Sequence, residues 1–443
     1  MKRTLFHTIV IAALALYLAG CGGNNSVTNA GPTNATINTG DGTNDQIMKF
    51  ELTVSSLTLT GSGGTATTGN LLSKSAEVEF AHQAGAFEPL ALVNIPPGTY
   101  SGASLTVSDP EVVVLNNAVP PAPVKITTTL SSPNVTVTFT SPITVTSSNS
   151  SVINFDLDLA GSVTLSGTPP TSATVTPKFN VTTATATNQG DDSGDMDDIH
   201  GSVTAINAPN FTIQNGESTI TFATDNTTQF KDGLTSLSQL KVGDIVEVDA
   251  TTRTDGTKLA TKIGVEEGQS GEEAEGIITA VTGTPATQIT IAHQVDSSNS
   301  ATPPVTMDVT IGAGTQFIVR ADKLNLGGTV PAFDASHIAK GQRVETDATS
   351  GAASPMAADK IKLREQALVG TVSAASASGF TLTLNANSAF ATLTGQSTVT
   401  VSVVSGTDQR VTPANGSTVR VRGLVFVNAG AYTLIASRVD NNN

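Results

Sequence analysis

The pentapeptide Gly201-Ser202-Val203-Thr204-Ala205 marks the start of an internal repeat, because two variants of it follow along the chain. These are Gly276-Ile277-Ile278-Thr279-Ala280 and Gly370-Thr371-Val372-Ser373-Ala374. Each copy continues to a glycine-containing turn and closes with the motif Ala-x-(Lys/Arg)-(Ile/Val). The turns are Lys241–Asp244, Ala339–Gln342 and Ala414–Ser417, and the closing motifs are Ala260–Ile263, Ala358–Ile361 and Ala436–Val439. The starting pentapeptide, the turn and the closing motif recur three times in the same order, which predicts three copies of one folded module.

Runs of alternating apolar and polar residues between these landmarks predict short antiparallel strands. Ile245-Val246-Glu247-Val248 and Val419-Arg420-Val421 are examples, and Thr and Val, which favour strands, are abundant throughout. The first two copies also share Thr-Gln-Phe, at 228–230 and 315–317, which the third lacks. A module with five or six short strands removes its sheet edges most simply by closing into a small OB-like barrel. We therefore predict β-barrel repeats at 199–265, 275–364 and 368–440.

These repeat landmarks resemble the bacterial domain of unknown function 5666, in three copies that cover residues 199 to 440. The resemblance implies a small β-barrel and no established activity.

A separate domain is predicted at residues 46–182. Pro96-Pro97-Gly98 predicts a type II turn before a strand that starts at Tyr100, and Ile153 to Leu159 alternate strictly between apolar and polar residues. Together with Phe87 to Leu92, these segments resemble the bacterial domain of unknown function 4382. That resemblance implies a β-sandwich similar to transthyretin-like and carbohydrate-binding-like modules. The fold class predicted for the exported chain is therefore all-β.

The N-terminus has the pattern of an export signal. Lys2 and Arg3 precede an apolar run from Leu5 to Leu18 that is short for a bilayer span. Leu18-Ala19-Gly20-Cys21 resembles the bacterial lipobox, which implies a signal peptide of residues 1–20, signal-peptidase recognition by Leu18, Ala19 and Gly20, and lipidation with palmitate-type chains at Cys21. The alternative is an ordinary secretory signal followed by a chance cysteine.

The resemblance to the lipobox implies a lipid-anchored protein of the bacterial cell envelope. Cys21 is the single cysteine in the chain, so no intramolecular disulfide can form. Gly22 follows it, and the absence of Asp at that position favours the outer membrane by the enterobacterial sorting rule. Residues 21–45, rich in Asn, Thr and Gly, predict a disordered tether between the anchor and the first domain.

Charge is concentrated in two predicted acidic linkers, 183–198 and 266–274. The net charge is −15, only 13% of residues are charged and 4% are aromatic. An acidic chain with few aromatic residues and no basic stripe binds nucleic acid poorly, so we expect no nucleic-acid partner. The Asp191 to Asp198 cluster fits a solvated linker better than a calcium loop, because it lacks the EF-hand spacing.

Recognisable catalytic motifs are missing from the sequence. The histidines that follow the signal are His82, His200, His293 and His337, and none has a second His or Cys at the spacing of a zinc ligand pair. Nucleophile-elbow, phosphate-loop and metalloprotease patterns are absent too. We therefore expect a non-catalytic protein with no cofactor apart from the lipid on Cys21.

Two sets of charged residues remain as candidate sites. Asp156 and Asp158 share one face of a strand and would suit calcium, an acid/base pair or, most simply, a solvated surface. Lys262, Lys360 and Arg438 occupy equivalent positions in the three repeats. They would either contact a shared anionic partner or protect a strand edge from aggregation.

The combined pattern predicts an array of β-modules that binds or scaffolds an envelope polysaccharide or an envelope protein, with the membrane contacted through the lipid. Repeated weak sites would favour a repetitive partner through avidity. The alternatives are a carbohydrate-active hydrolase that uses paired carboxylates such as Asp156 and Asp158, and a purely mechanical spacer.

Overall fold

The fold is known from a computed structural model of the chain. The residues it describes are 33–42, 45–72, 74–81, 87–116, 118–146, 151–185, 195–215, 218–231, 234–253, 255–266, 273–294, 306–319, 330–347 and 355–441. They form one β-sandwich and three small β-barrels, as the sequence predicts.

The sandwich consists of two sheets that enclose one core. Its elements are β1 Thr33–Gly42, β2 Ile47–Ser62, β3 Ala76–Glu79, β4 Phe87–Ile95, β5 Gly98–Leu115, β6 Pro123–Leu130, β7 Asn134–Val145, β8 Ser151–Asp158, α1 Leu159–Ser162, β9 Val163–Ser166, β10 Ser172–Val175 and β11 Phe179–Thr185. One sheet has the order β11-β8-β1-β4, and the other has the order β3-β2-β5-β6-β10-β9, with β7 paired to β5. Phe50, Phe80, Phe155 and Phe179 contact one another in the core between the sheets.

Strand β1 contradicts the prediction that 21–45 is a disordered tether throughout. It lies between β4, to which it is antiparallel, and β8, to which it is parallel. Ile37 is fully buried on one face and Thr36 is buried on the other. The segment is too polar to order itself, so its order comes from pairing on both sides with strands that are distant in sequence.

The turn before Tyr100 also differs from the prediction. Gly98 does not have the positive φ that a type II turn requires. It instead makes room for Thr65, whose Cγ2 would lie 2.4 Å from an added Cβ. Tyr100 is buried and its hydroxyl donates to the Pro96 carbonyl at 2.7 Å.

The three barrels share one strand order, which is that of an OB-type barrel. Barrel 1 consists of β12 Asp195–Asn207, β13 Asn210–Asn215, β14 Ser218–Ala223, β15 Gln229–Phe230, β16 Ile245–Thr252 and β17 Lys258–Glu266. Barrel 2 consists of β18 Glu273–Thr282, β19 Gln288–Gln294, β20 Thr306–Val319, β21 Arg343–Asp347 and β22 Met356–Leu363. Barrel 3 consists of β23 Gln366–Ser376, β24 Gly379–Leu384, α2 Ala389–Thr394, β25 Thr398–Gln409, β26 Thr418–Asn428 and β27 Ala431–Asn441. The first, second, third, fifth and fourth strands follow one another around each barrel, and the third strand of barrel 1 is divided into β14 and β15.

The repeat motifs have the same structural role in each barrel. The turn glycines Gly243, Gly341 and Gly416 have φ values of +97°, +85° and +86°. Each donates its N–H at 2.8 Å to the carbonyl of the third residue of the starting pentapeptide. Glycine is favoured there because other residues rarely adopt that φ.

A threonine hydroxyl makes the same hydrogen bond to the fifth strand in every barrel. The hydroxyls of Thr228, Thr315 and Thr407 donate to the carbonyl of the closing alanine at 2.8, 2.7 and 2.6 Å. Thr407 therefore performs in barrel 3 the role of the threonine in Thr-Gln-Phe, although that tripeptide is missing there.

Both acidic linkers are shorter than predicted. Strand β12 already begins at Asp195, where it pairs with Thr251, and β18 begins at Glu273, where it pairs with Asp347. The acidic residues share these strands with buried apolar ones such as Met196 and Ala274, and burial of the apolar side chains orders the backbone.

Barrels 2 and 3 pack against each other through a continuous apolar interface. Leu424 and Phe426 of barrel 3 belong to the same hydrophobic cluster as Ile361 of barrel 2. Gln342 Nε2 donates to the Val425 carbonyl at 3.0 Å across this interface. These two modules are therefore joined by buried contacts rather than by a flexible linker.

Helix α2 connects barrel 3 to the sandwich. Its residues Ala389 and Leu393 form an apolar cluster with Leu115, and Met48 packs against that cluster. The N–H of Ala389 donates to the Asp45 carbonyl at 2.6 Å.

Candidate functional site

Several predicted site residues lie outside the described part of the chain. They are Leu18, Ala19, Gly20 and Cys21, and His82, which was not predicted to be a site residue, also lies there. Lipidation at Cys21 therefore stays a prediction. Among the described residues, no helix has the length and apolar content needed to cross a bilayer.

The predicted cations of barrels 1 and 2 lie on the face of the fourth and fifth strands that points away from the barrel core. Lys262 is 6% exposed, and its Nζ lies 2.6 Å from Asp249 Oδ2 and 3.4 Å from Glu247 Oε1. By strand register, Lys360 is opposite Asp347 as Lys262 is opposite Asp249. The strands that contain Lys262 and Lys360 are each paired with another strand on both sides. These residues therefore do not lie on a strand edge, and the prediction that they protect such an edge is wrong.

The same face of barrel 2 contains a buried ion-pair network. Lys362 is ion-paired with Glu345, which is fully buried, and lies 3.1 Å from Asp347. Arg364 contacts the second carboxylate oxygen of Glu345 at 3.0 Å. Removing one partner of such a buried pair costs about 3–5 kcal/mol, because the other charge is left without compensation.

Barrel 3 carries the reverse charge pattern at the equivalent positions. Arg420 stands where Glu247 and Glu345 stand in the other barrels, and it forms a bidentate pair with Asp440 at 2.9 and 3.0 Å. Arg438, the third predicted cation, lies 3.5 Å from Asp408. Lys262 and Arg438 therefore take part in ion pairs within their own modules.

Asp156 and Asp158 share a strand face as predicted, but they have different surroundings. Asp158 Oδ1 accepts the Gly161 N–H at 2.8 Å and caps α1. Burial raises the pKa of Asp156 to about 6, and the positive charge of Arg420 opposes that rise while Asp158 and Asp440 add to it. The acidic face of β8 therefore lies toward the Arg420–Asp440 pair of barrel 3.

The cap on α1 accounts for Asp158, and calcium at Asp156 and Asp158 stays a prediction. Within the described ranges, no three His, Cys, Asp or Glu side chains lie close enough together to hold a metal ion. Of the histidines, His337 has its Nδ1 2.8 Å from Asp334 Oδ1.

A cleft at the meeting point of three modules was not predicted. This junction cleft is lined by Asp45, Met48 and Leu159 of the sandwich, by Ile277 and Arg343 of barrel 2, and by Gln366, Ser388 and Phe390 of barrel 3, among others. Its volume of about 80 Å³ leaves room for several water-sized groups.

Polar groups in the junction cleft converge on a mainly apolar wall. Burial raises the pKa of Asp45 to about 6. Arg343 Nε lies 2.6 Å from Glu275 Oε1, so its charge is neutralised within barrel 2. No sequence pattern could have identified this site, because its residues come from three different modules, with Asp45 and Gln366 more than 300 positions apart.

A second exposed surface is the outer face of the larger sheet of the sandwich. Three rows of small residues, all of them polar except Gly102, cross β2, β5 and β7 in register. The rows are Ser56, Thr106 and Asn134; Thr58, Ser104 and Thr136; and Thr60, Gly102 and Thr138. None of these side chains is charged, so this hydroxyl face offers hydrogen bonds without a net field.

Comparison with known proteins assigns one of the repeats. Residues 200–264 match a family model. The family is described as Domain of unknown function (DUF5666). The match covers barrel 1, whereas no curated protein is significantly similar to the chain.

Two solved structures show remote similarity. The Drosophila Unr CSD456 structure is 14% identical, with 55% of this chain and 96% of that chain covered, at a TM-score of 0.13. A multidomain protein with nucleic acid binding domains from Streptococcus pneumoniae TIGR4 is 14% identical, with 54% and 72% covered, at a TM-score of 0.12. At these TM-scores neither similarity supports an argument about this chain.

Proposed function

We propose that this protein is a non-catalytic lipoprotein of the bacterial cell envelope whose β-modules bind or scaffold an envelope polysaccharide or protein. The lipobox-like sequence at Leu18 to Cys21 supports lipid anchoring, with the outer membrane as the proposed site. Only residues 22–32 separate Cys21 from the start of β1, so the sandwich would lie within about 40 Å of the anchor.

The observation that carries a scaffolding role is the packing of the modules against one another. Barrels 2 and 3 share an apolar cluster, and α2 connects barrel 3 to the sandwich. Such joints fix the spacing between modules, which suits a protein that holds partners at set positions. Lys262 and Arg438 are paired with carboxylates of their own barrels, which does not favour them as contacts for an anionic partner.

The hydroxyl face supports a polysaccharide as the partner. Neighbouring residues within a row are about 4.8 Å apart, and successive rows are about 7 Å apart along the strands. The hydroxyls can donate to and accept from sugar hydroxyls. Ser104 and Thr136 are exposed at its centre. An uncharged face of this kind fits a neutral glycan better than a charged one.

The test is binding of the mature chain, residues 22–443, to a panel of envelope and extracellular polysaccharides, with calcium and with EDTA. We expect saturable binding to a neutral glycan in both conditions. Ser104→Lys, which places a charge at the centre of the hydroxyl face, should weaken this binding at least tenfold. The matched control is Thr371→Lys, which makes the same kind of change at an exposed strand position of barrel 3.

Other outcomes would change the proposal. Binding that depends on calcium would point to carboxylate ligands, and equal loss in both lysine variants would exclude the hydroxyl face. Weak, linear association with every fraction would support a mechanical spacer. Glycan turnover that falls by orders of magnitude in Asp156→Asn would support the hydrolase alternative.

A further inference from the structure

The junction cleft contains a buried hydrogen-bond acceptor that no described residue satisfies. Gln366 is only 7% exposed, and its Nε2 donates to the Gly341 carbonyl at 2.9 Å. That bond fixes the orientation of the amide, and Oε1 has no hydrogen-bond partner among the described residues. A buried acceptor of this kind costs about 1–3 kcal/mol unless a donor reaches it.

The carboxylate of Asp45 lines the same cleft, and no ion pair of this carboxylate is found among the described residues. The backbone carbonyl of Asp45 accepts a hydrogen bond from the Ala389 N–H. Burial raises the pKa of the Asp45 carboxyl to about 6. Arg343 lines the cleft from barrel 2, and its charge is paired with Glu275, whose Oε1 lies 2.6 Å from Arg343 Nε. The cleft therefore presents one negative charge and one neutral acceptor.

The group that complements this pair is a cation with several N–H donors. A primary ammonium has three donors and no acceptor, so it can serve Asp45 and Gln366 together. The neighbouring walls are formed by Met48, Leu159 and Phe390, which suit methylene groups. An anion would be repelled by the negative charge of Asp45, and an alcohol would leave that charge without compensation.

We propose that the junction cleft binds a primary ammonium group on a short aliphatic chain, with the Asp45 carboxylate and Gln366 Oε1 as its acceptors. This chemistry is shared by free alkylamines and by the lysine side chain of a partner protein. The site goes beyond the envelope role and does not depend on it. Because its walls come from three modules, an occupant would also hold those modules together.

The test uses n-butylammonium as the probe and methyl NMR signals of Met48 and Ile277 in the full mature chain as the readout. We expect saturable shifts at pH 7.5 with a dissociation constant of about 1–10 mM, which is reasonable for five heavy atoms. Since the pKa of Asp45 is about 6, only about a tenth of its carboxyl groups are ionised at pH 5, and affinity should fall about tenfold there. n-Butanol and butyrate should not saturate.

Variants separate a specific site from general attraction. Asp45→Asn should weaken binding at least tenfold, and Asp45→Glu should retain it because the charge is kept. Asp156→Asn is the matched control: its carboxyl also has a raised pKa, but it faces Arg420, so binding should not change. Equal binding of N-acetyl-lysine-N-methylamide would favour a protein partner, whereas binding of butylammonium alone would favour a free amine. Absence of saturation at pH 7.5, or unchanged affinity in Asp45→Asn, would overturn the proposal.

Discussion

The turn glycine of barrel 2 provides a sharp test of the joint between barrels 2 and 3. An alanine Cβ at Gly341 would lie 2.6 Å from Thr394 Cγ2 and 3.0 Å from the Phe390 ring, both in barrel 3. Thr394 cannot easily turn away, because its hydroxyl donates to the Phe390 carbonyl at 2.7 Å. The equivalent Gly243 and Gly416 have similar φ values, and an added Cβ would have no neighbour within 4 Å.

All three alanine variants share the cost of a left-handed backbone, about 1–2 kcal/mol each. Gly341→Ala adds an overpacking cost of about 1–3 kcal/mol. We expect calorimetry of the mature chain to show a lower unfolding temperature for Gly341→Ala than for Gly416→Ala. The difference should be about 2–4 °C for each additional kcal/mol of destabilisation. The joint should also loosen, so barrels 2 and 3 should unfold in separate transitions in Gly341→Ala alone. Equal shifts in Gly341→Ala, Gly416→Ala and Gly243→Ala would refute the packing described here.

Three further predictions concern stability. Ile37→Ala should destabilise the sandwich by about 2–5 kcal/mol in urea unfolding, because Ile37 is fully buried; an effect near zero would show that β1 is not part of the core. Lys362→Met should cost about 3–5 kcal/mol by the same measurement, whereas replacing Lys362 and Glu345 together by apolar residues should cost less. The pKa of Asp156 is raised to about 6, so the folded state holds a proton that the unfolded state releases, and stability falls as pH rises from about 4 to 6. Asp156→Asn should remove this fall, which is about 3 kcal/mol for a rise of the pKa from 3.8 to about 6, and an unchanged pH profile would contradict it.

The repetition of one barrel module could be predicted from the sequence, because the three landmarks fall on the same positions of each module. The starting pentapeptide lies on the first strand, the turn glycine precedes the fourth, and the closing alanine lies on the fifth. Alternation of apolar and polar residues identified strands such as the one that contains Ile245 to Val248. The domain of unknown function 4382 and the lipobox stay predictions.

Other features could not be found in this way, since they depend on contacts between distant segments. Strand β1 has Ile37 as its one large apolar residue, and it is ordered by β4 and β8. Helix α2 has only six residues, so it shows no helical period, yet it connects two modules. The junction cleft requires three modules to meet, and no local pattern encodes such a meeting.

The most direct test of the envelope proposal is metabolic labelling with palmitate, combined with membrane fractionation, of the full chain and of Cys21→Ala. The account predicts a labelled wild-type protein in the membrane fraction and an unlabelled variant that has lost this location. A wild-type protein without label, or a Cys21→Ala variant that stays fully in the membrane fraction, would contradict it.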